Sequence, residues 1–251
     1  MKPKIKYYDV PFIASLQDLL IRSAQTYKNK IAMEDLGETL IPSVSYAELL
    51  DKVLSFGAGL KKLGIKERTH IALIGENRVQ WGITYFTSML FNHIIIPIDK
   101  NLPPSEMLNI LHESEAEVLI YTNQYDSFAK DTVGIIKRLK YFINMDLRNH
   151  ENDAFSMCQM ISENPRMPVD ELPKININEL AAILYTSGSL GRAKGVMLSQ
   201  KNLVANLMAM TKSFFIYPED RFLSVLPMHH TYECTCGFLC PIYAGASIHY
   251  A

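Results

Sequence analysis

From Thr186 to Gly195 the chain reads Thr-Ser-Gly-Ser-Leu-Gly-Arg-Ala-Lys-Gly, with three hydroxyls, three glycines and two cations directly after the apolar run "LAAILY". Glycines let successive backbone N–H groups turn toward an anion, hydroxyls donate further hydrogen bonds, and a lysine supplies positive charge. That chemistry suits a polyphosphate. Two common phosphate patterns do not fit. A P-loop needs Gly-Lys followed by Ser or Thr, whereas Ala193 precedes Lys194 and Gly195 follows it. The intervals between Gly188, Gly191 and Gly195 are not those of the dinucleotide fingerprint. A glycine-serine connection between strands also serves as a plain hairpin turn, and composition alone divides evenly between the two readings.

The elements that would carry this loop follow a repeating theme. "SYAE" at Ser45 spells a capping box and opens a helix that Lys61, Lys62 and Gly64 close. "HIALIG" (70–75) reads as a buried strand, Asn77 as an N-cap, and the stretch to Phe91 as an amphipathic helix. "HIIIPID" (93–99) is β-branched and strand-like, with Pro97 expected near a strand end or on a sheet edge. "PPSEMLNILHES" resumes helix and "EVLIYT" strand. A weaker helix, a strand near "KYFINMD" and a helix around Met157–Ile161 continue the order. Such alternation predicts an α/β fold of predominantly parallel sheets with helices on both faces. The proline-bearing "SENPRMPVDELPKININE" (162–179) interrupts it, and a boundary is expected there between an N-terminal subdomain, 1–176, and the start of a second, 177–251. Beyond it come "LAAILYT", the loop, "GVMLS", a helix from about Asn202, the strand "RFLSVLP", a helical stretch over 232–244 and "ASIHY".

Bulk properties narrow the classes. At 251 residues, with 48% hydrophobic and 20% charged residues, the chain has ample material for a core. A formal net charge of −1 gives no global reason to expect nucleic acid or an anionic membrane as main partner. No apolar run approaches membrane-spanning length, and "MKPKIKYYDVPF" lacks a secretory signal's apolar stretch, so a cytoplasmic location is expected and peripheral membrane contact stays open. Four cysteines are few for this length, and one of them, Cys158, stands far from the others, which fits reduced thiols.

"YTSGSLGRAKGVMLSQKNL" resembles the phosphate-loop signature of the adenylate-forming superfamily, which includes acyl-CoA synthetases. Thr186, Ser187, Gly188, Ser189, Gly191, Lys194 and Gly195 match its usual wording. "LPMHHTYE" (226–233) is similar to the family's next motif, a Leu-Pro followed shortly by a histidine, and "GENRVQWGITYFTSMLFNHIIIPID" resembles its early sheet region. Fatty-acyl-CoA ligases look the nearest branch.

The resemblance implies a two-step reaction in which a small carboxylate attacks the α-phosphate of MgATP and a thiol such as CoA captures the acyl-adenylate. It implies that Lys194, Thr186 and His230 are catalytic. The seven matching loop residues would hold ATP, Thr186 would face Mg2+, and His230 would orient the acyl-adenylate. Two positions depart from the pattern: Leu190 replaces a usual threonine and Ala193 a usual proline. Losing a donor to a charged group costs on the order of 1.5–3 kcal/mol, so Leu190 weakens ATP binding or shifts the loop without abolishing the site. The family's later motifs, which supply a magnesium-binding glutamate, a ribose-holding aspartate and a lysine on a small C-terminal domain, do not occur in these 251 residues. The sequence therefore reads as an N-terminal portion, expected to be inactive by itself. The competing expectation is a stand-alone or degenerate module that binds a nucleotide or acyl group without catalysis.

Other features have plainer readings. His229, His230, Cys234, Cys236 and Cys240 crowd together but lack a C-x-x-C pair, and core packing is favoured over zinc. Trp81, Tyr85 and Phe86 read as core, and the Lys61, Lys62, Lys66 and Arg68 cluster as a solvated helix end. His70 and His93 carry no evident partner.

Overall fold

The computed structural model describes residues 7–151, 154–186 and 193–251. The chain opens with α1 (Leu16–Tyr27), β1 (Ile31–Asp35), β2 (Ser43–Ser45) and α2 (Tyr46–Lys62). It continues through β3 (His70–Ile74), α3 (Val79–Leu90), β4 (Ile94–Ile98), α4 (Pro104–Glu113) and β5 (Val118–Tyr121). Then come α5 (Asp126–Thr132), β6 (Tyr141–Asn144), β7 (Ala154–Ser156) and α6 (Met157–Glu163). The last part holds β8 (Leu180–Thr186), β9 (Lys194–Ser199), α7 (Gln200–Ser213), β10 (Arg221–Ser224), a π-helical stretch (Glu233–Leu239), α8 (Cys240–Ala244) and β11 (Ser247–Tyr250).

Local chemistry explains several boundaries. The capping box at Ser45 forms as the sequence predicts: its hydroxyl takes the Glu48 N–H while the Glu48 carboxylate takes the Ser45 N–H. Ser199 and Asn202 make an equivalent reciprocal pair at the start of α7. Gly245, at φ 82°, ends α8 in the left-handed region that glycine tolerates.

The strands form a seven-stranded sheet, ordered β7-β6-β5-β3-β4-β8-β9, and a four-stranded sheet, ordered β10-β11-β1-β2. Every pairing is parallel except β1 with β2 and β8 with β9. Side-chain alternation splits the large sheet's two faces. Ile71, Leu73, Ile95 and Ile120 face one cluster, which also takes in Met33, Val44 and Ile248 of the small sheet. Ala72, Ile74, Ile96 and Leu119 face another, covered by Met107, Ile110 and Leu111 of α4.

Two features differ from the sequence expectations. First, α3 is not amphipathic: all twelve of its residues are buried, because it packs against α1, α2 and strands of both sheets, β1, β3 and β4. Second, Asn77 is not its N-cap. Arg78 holds that position, and the side chain that reaches the helix start belongs to Asp35, whose Oδ1 accepts the Val79 N–H at 3.2 Å. Pro97 lies one residue from the end of β4, as expected, although that strand is central in its sheet. The Ile94 N–H points to Thr69 O on the β3 side, so by alternation Pro97 turns its missing donor toward β8, where the ladder holds the single pair Ile95↔Ala182. Each sheet draws strands from both early and late parts of the chain. β8 and β9 complete the large sheet begun by β3, while β1 and β2 join the small sheet through β11.

Candidate active site

The β8–β9 hairpin places the loop's two ends. Thr186 closes β8, Lys194 opens β9, and the two are cross-strand partners, both exposed. Ser187, Gly188, Ser189, Leu190 and Gly191 lie outside the described residues. Gly195 pairs with Tyr185, and a Cβ on it would stand 2.9 Å from Ile183 Cγ2 and 3.3 Å from the Tyr185 ring. That glycine is therefore required by close packing across the hairpin as well as by any anion.

The mouth of this hairpin lies at the carboxyl edge of the large sheet, where α/β sheets hold ligands. The parallel pair Ile95↔Ala182 sets the register of β4 beside β8, and counting along both strands brings Asp99 level with Thr186. Asp99 in turn reaches the histidine motif: its Oδ2 stands 3.6 Å from His229 Nε2. The His229 and His230 rings lie 4.2 Å apart between centroids. The structure thus gathers Thr186, Lys194, Asp99 and the two histidines along one edge.

The two histidines differ in placement. His230, the residue that matches the motif, is exposed at the rim. Its neighbour His229 is turned inward, with a buried Nε2 that has no hydrogen-bond partner among the described residues. Burial pulls the His229 pKa down to about 4 against the opposing pull of Asp99, so the ring is neutral at pH 7. Asp99, His229 and Asn77 were not singled out for chemistry from sequence. The available signal was position, since Asp99 and Asn77 follow β4 and β3 at the carboxyl edge.

Cys234 and Cys240 lie in the core, their thiols pushed up to about 12, chiefly by burial. Phe238 meets Trp81 and Tyr85 edge-on, so this aromatic group is packing material. Among the described residues no three His, Cys, Asp or Glu side chains converge to hold a metal ion. No helix among them is long and apolar enough to cross a membrane.

Residues 20–251 match the family model described as AMP-binding enzyme, and the chain belongs to that family. It is similar to a long-chain-fatty-acid–CoA ligase of Salmonella typhimurium, with 25% identity over 92% of this chain and 45% of that protein. It is also similar to the chloroplastic long-chain-fatty-acid–[acyl-carrier-protein] ligase AEE15 of Arabidopsis thaliana, with 24% identity over 89% of this chain and 34% of that one. Among solved structures, the long-chain-fatty-acid-CoA ligase FadD1 from Archaeoglobus fulgidus superposes with a TM-score of 0.85 at 21% identity, covering 99% of this chain and 49% of that one. The chain spans between a third and a half of the length of the two curated relatives.

Proposed function

We propose that the protein activates a carboxylic acid, most simply a fatty acid, with ATP and passes the acyl group to a thiol, CoA being the first candidate. In the first step a carboxylate oxygen bonds to the α-phosphorus, the bond to the β-phosphate bridging oxygen breaks, and pyrophosphate leaves. In the second the thiol sulfur attacks the acyl carbon and AMP leaves. One observation carries the reading: the Thr186–Lys194 mouth opens at the sheet's carboxyl edge, where the β4–β8 register sets Asp99, the contact of His229. Family membership and the names of both curated relatives support it.

In this reading Lys194 neutralises the phosphates, the loop residues Ser187, Gly188, Ser189, Gly191 and Gly195 wrap them, and His230 orients the acyl-adenylate. Magnesium would come with the nucleotide's phosphates and help neutralise their charge, and Thr186 would offer it one hydroxyl. Residues 1–251 supply the phosphate side of the site.

The test is pyrophosphate release by the complete gene product with ATP, magnesium and a panel of fatty, aryl and short-chain acids. Release is expected with fatty acids, and Lys194→Ala should lower it on the order of a hundredfold. No release with any acid, while ATP still binds, would overturn the ligase reading in favour of a non-catalytic binding module.

A further inference from the structure

The segment between β10 and the π-helical stretch carries both histidines, yet Val225, Leu226 and Tyr232 within it are 68%, 48% and 65% exposed. Its anchor comes from the other sheet. The Asn77 side-chain amide, just beyond β3, donates to the Leu226 carbonyl at 2.6 Å and to the Ser224 hydroxyl at 3.0 Å. Its Oδ1 accepts the Met228 N–H at 3.0 Å. Ser224 donates onward to the Glu233 carboxylate at 2.7 Å, and both of these residues are buried.

One amide therefore uses its oxygen and both N–H groups on a span of five residues that ends immediately before His229. The opposite orientation would set its NH2 against the Met228 N–H. Since Asp35 serves the α3 terminus instead, the Asn77 side chain is committed to this loop.

We propose that Asn77 is a positioning residue, which through Leu226, Met228 and the Ser224–Glu233 pair latches the His229–His230 loop across the carboxyl ends of β3 and β4. What His230 does once held there rests on the adenylation reading. The latch itself does not.

Two measurements test it. Diethyl pyrocarbonate labelling with peptide mass spectrometry reads the loop directly. In the wild type His230 should label and His229 stay protected. In Asn77→Ala, His229 labelling should rise about tenfold or more, as release of a latched loop exposes a neutral imidazole, while the buried His93 stays protected and reports an intact fold. Pyrophosphate kinetics on the complete gene product read the consequence. Asn77→Ala should lower kcat by roughly 10- to 100-fold with the KM for ATP within about twofold. On a His230→Ala background it should cost less than about twofold, because the two changes remove one effect.

Continued protection of His229 in Asn77→Ala, or an undiminished kcat loss on the His230→Ala background, overturns the proposal. If the wild type releases no pyrophosphate, the adenylation reading fails and labelling alone decides the latch. Ser224→Ala, which removes one link and keeps Asn77, is the second variant if Asn77→Ala does not fold, and the same rise in His229 labelling is required of it.

Discussion

Asp35 ends β1 at 8% exposure, held by the Thr39 hydroxyl at 2.9 Å and by the Val79 N–H. Burial pushes its carboxyl up to about 6, while Thr39, Val79 and Arg78 pull the other way. A carboxyl raised in the fold contributes stability that is present below its unfolded pKa of about 4 and is lost as pH rises through about 6. His229 and His93, both lowered to about 4 by burial, act in the opposite sense: their contribution is present above about 6.5 and is lost as pH falls toward 4. Comparing the wild type with Asp35→Asn cancels the histidines. In urea titrations the wild type should lose ground to the variant from about pH 4 to 6 and hold a constant difference above about 7. A difference that grows in the wild type's favour over that window would show that Asp35 folds ionised. At this scale residue type and spacing marked residues 186–195 as a loop suited to phosphate, and only the family resemblance pointed to His230. His229 and Asp99 were not legible, because their significance is a contact between residues 130 positions apart.

Among the elements, α2 was the most legible, since its caps, charges and apolar spacing lie within its own residues. One of its two interior glycines, Gly57, has a tertiary reason. A Cβ on Gly57 would fall 2.0–2.4 Å from three atoms of the Phe91 ring, which is 5% exposed and has nowhere to retreat. Alanine gains about 1 kcal/mol of helix propensity, but overpacking costs about 1–3 kcal/mol and a clash this close belongs at the upper end. Gly57→Ala should therefore melt several degrees lower, roughly 2–8 °C by differential scanning calorimetry. Gly37→Ala, where a Cβ meets nothing within 4 Å, is the matched control and should stay near the wild type. α3 was misread for the converse reason. Its polar residues Gln80, Thr84, Thr87 and Ser88 are all buried, and the hydroxyls of Thr84 and Ser88 bond back to the Gln80 and Thr84 carbonyls.

Across the whole molecule one core joins segments from both sides of residue 176. Gln200 of α7 accepts the Leu16 N–H at 3.1 Å and donates to the Met89 carbonyl at 2.9 Å, tying α1, α3 and α7 together. Trp81, the chain's one tryptophan, lies in α3 at 2% exposure between the two sheets. Its fluorescence and the far-UV circular dichroism should therefore share one unfolding midpoint. Separate midpoints would mean that the sheets unfold as independent units. What the sequence determined by itself was local: the strand and helix alternation, the Ser45 capping box, the α/β class, and a hydroxyl, glycine and lysine loop suited to phosphate. Those features depend on neighbours a few residues apart. Tertiary structure alone decided that β1 and β2 join β11, that Pro97 can sit in a central strand, and that Asn77 leaves its helix to hold the histidine loop. Each of these is a pairing across long sequence separation, settled by which backbone and side-chain groups the packed sheets leave unsatisfied.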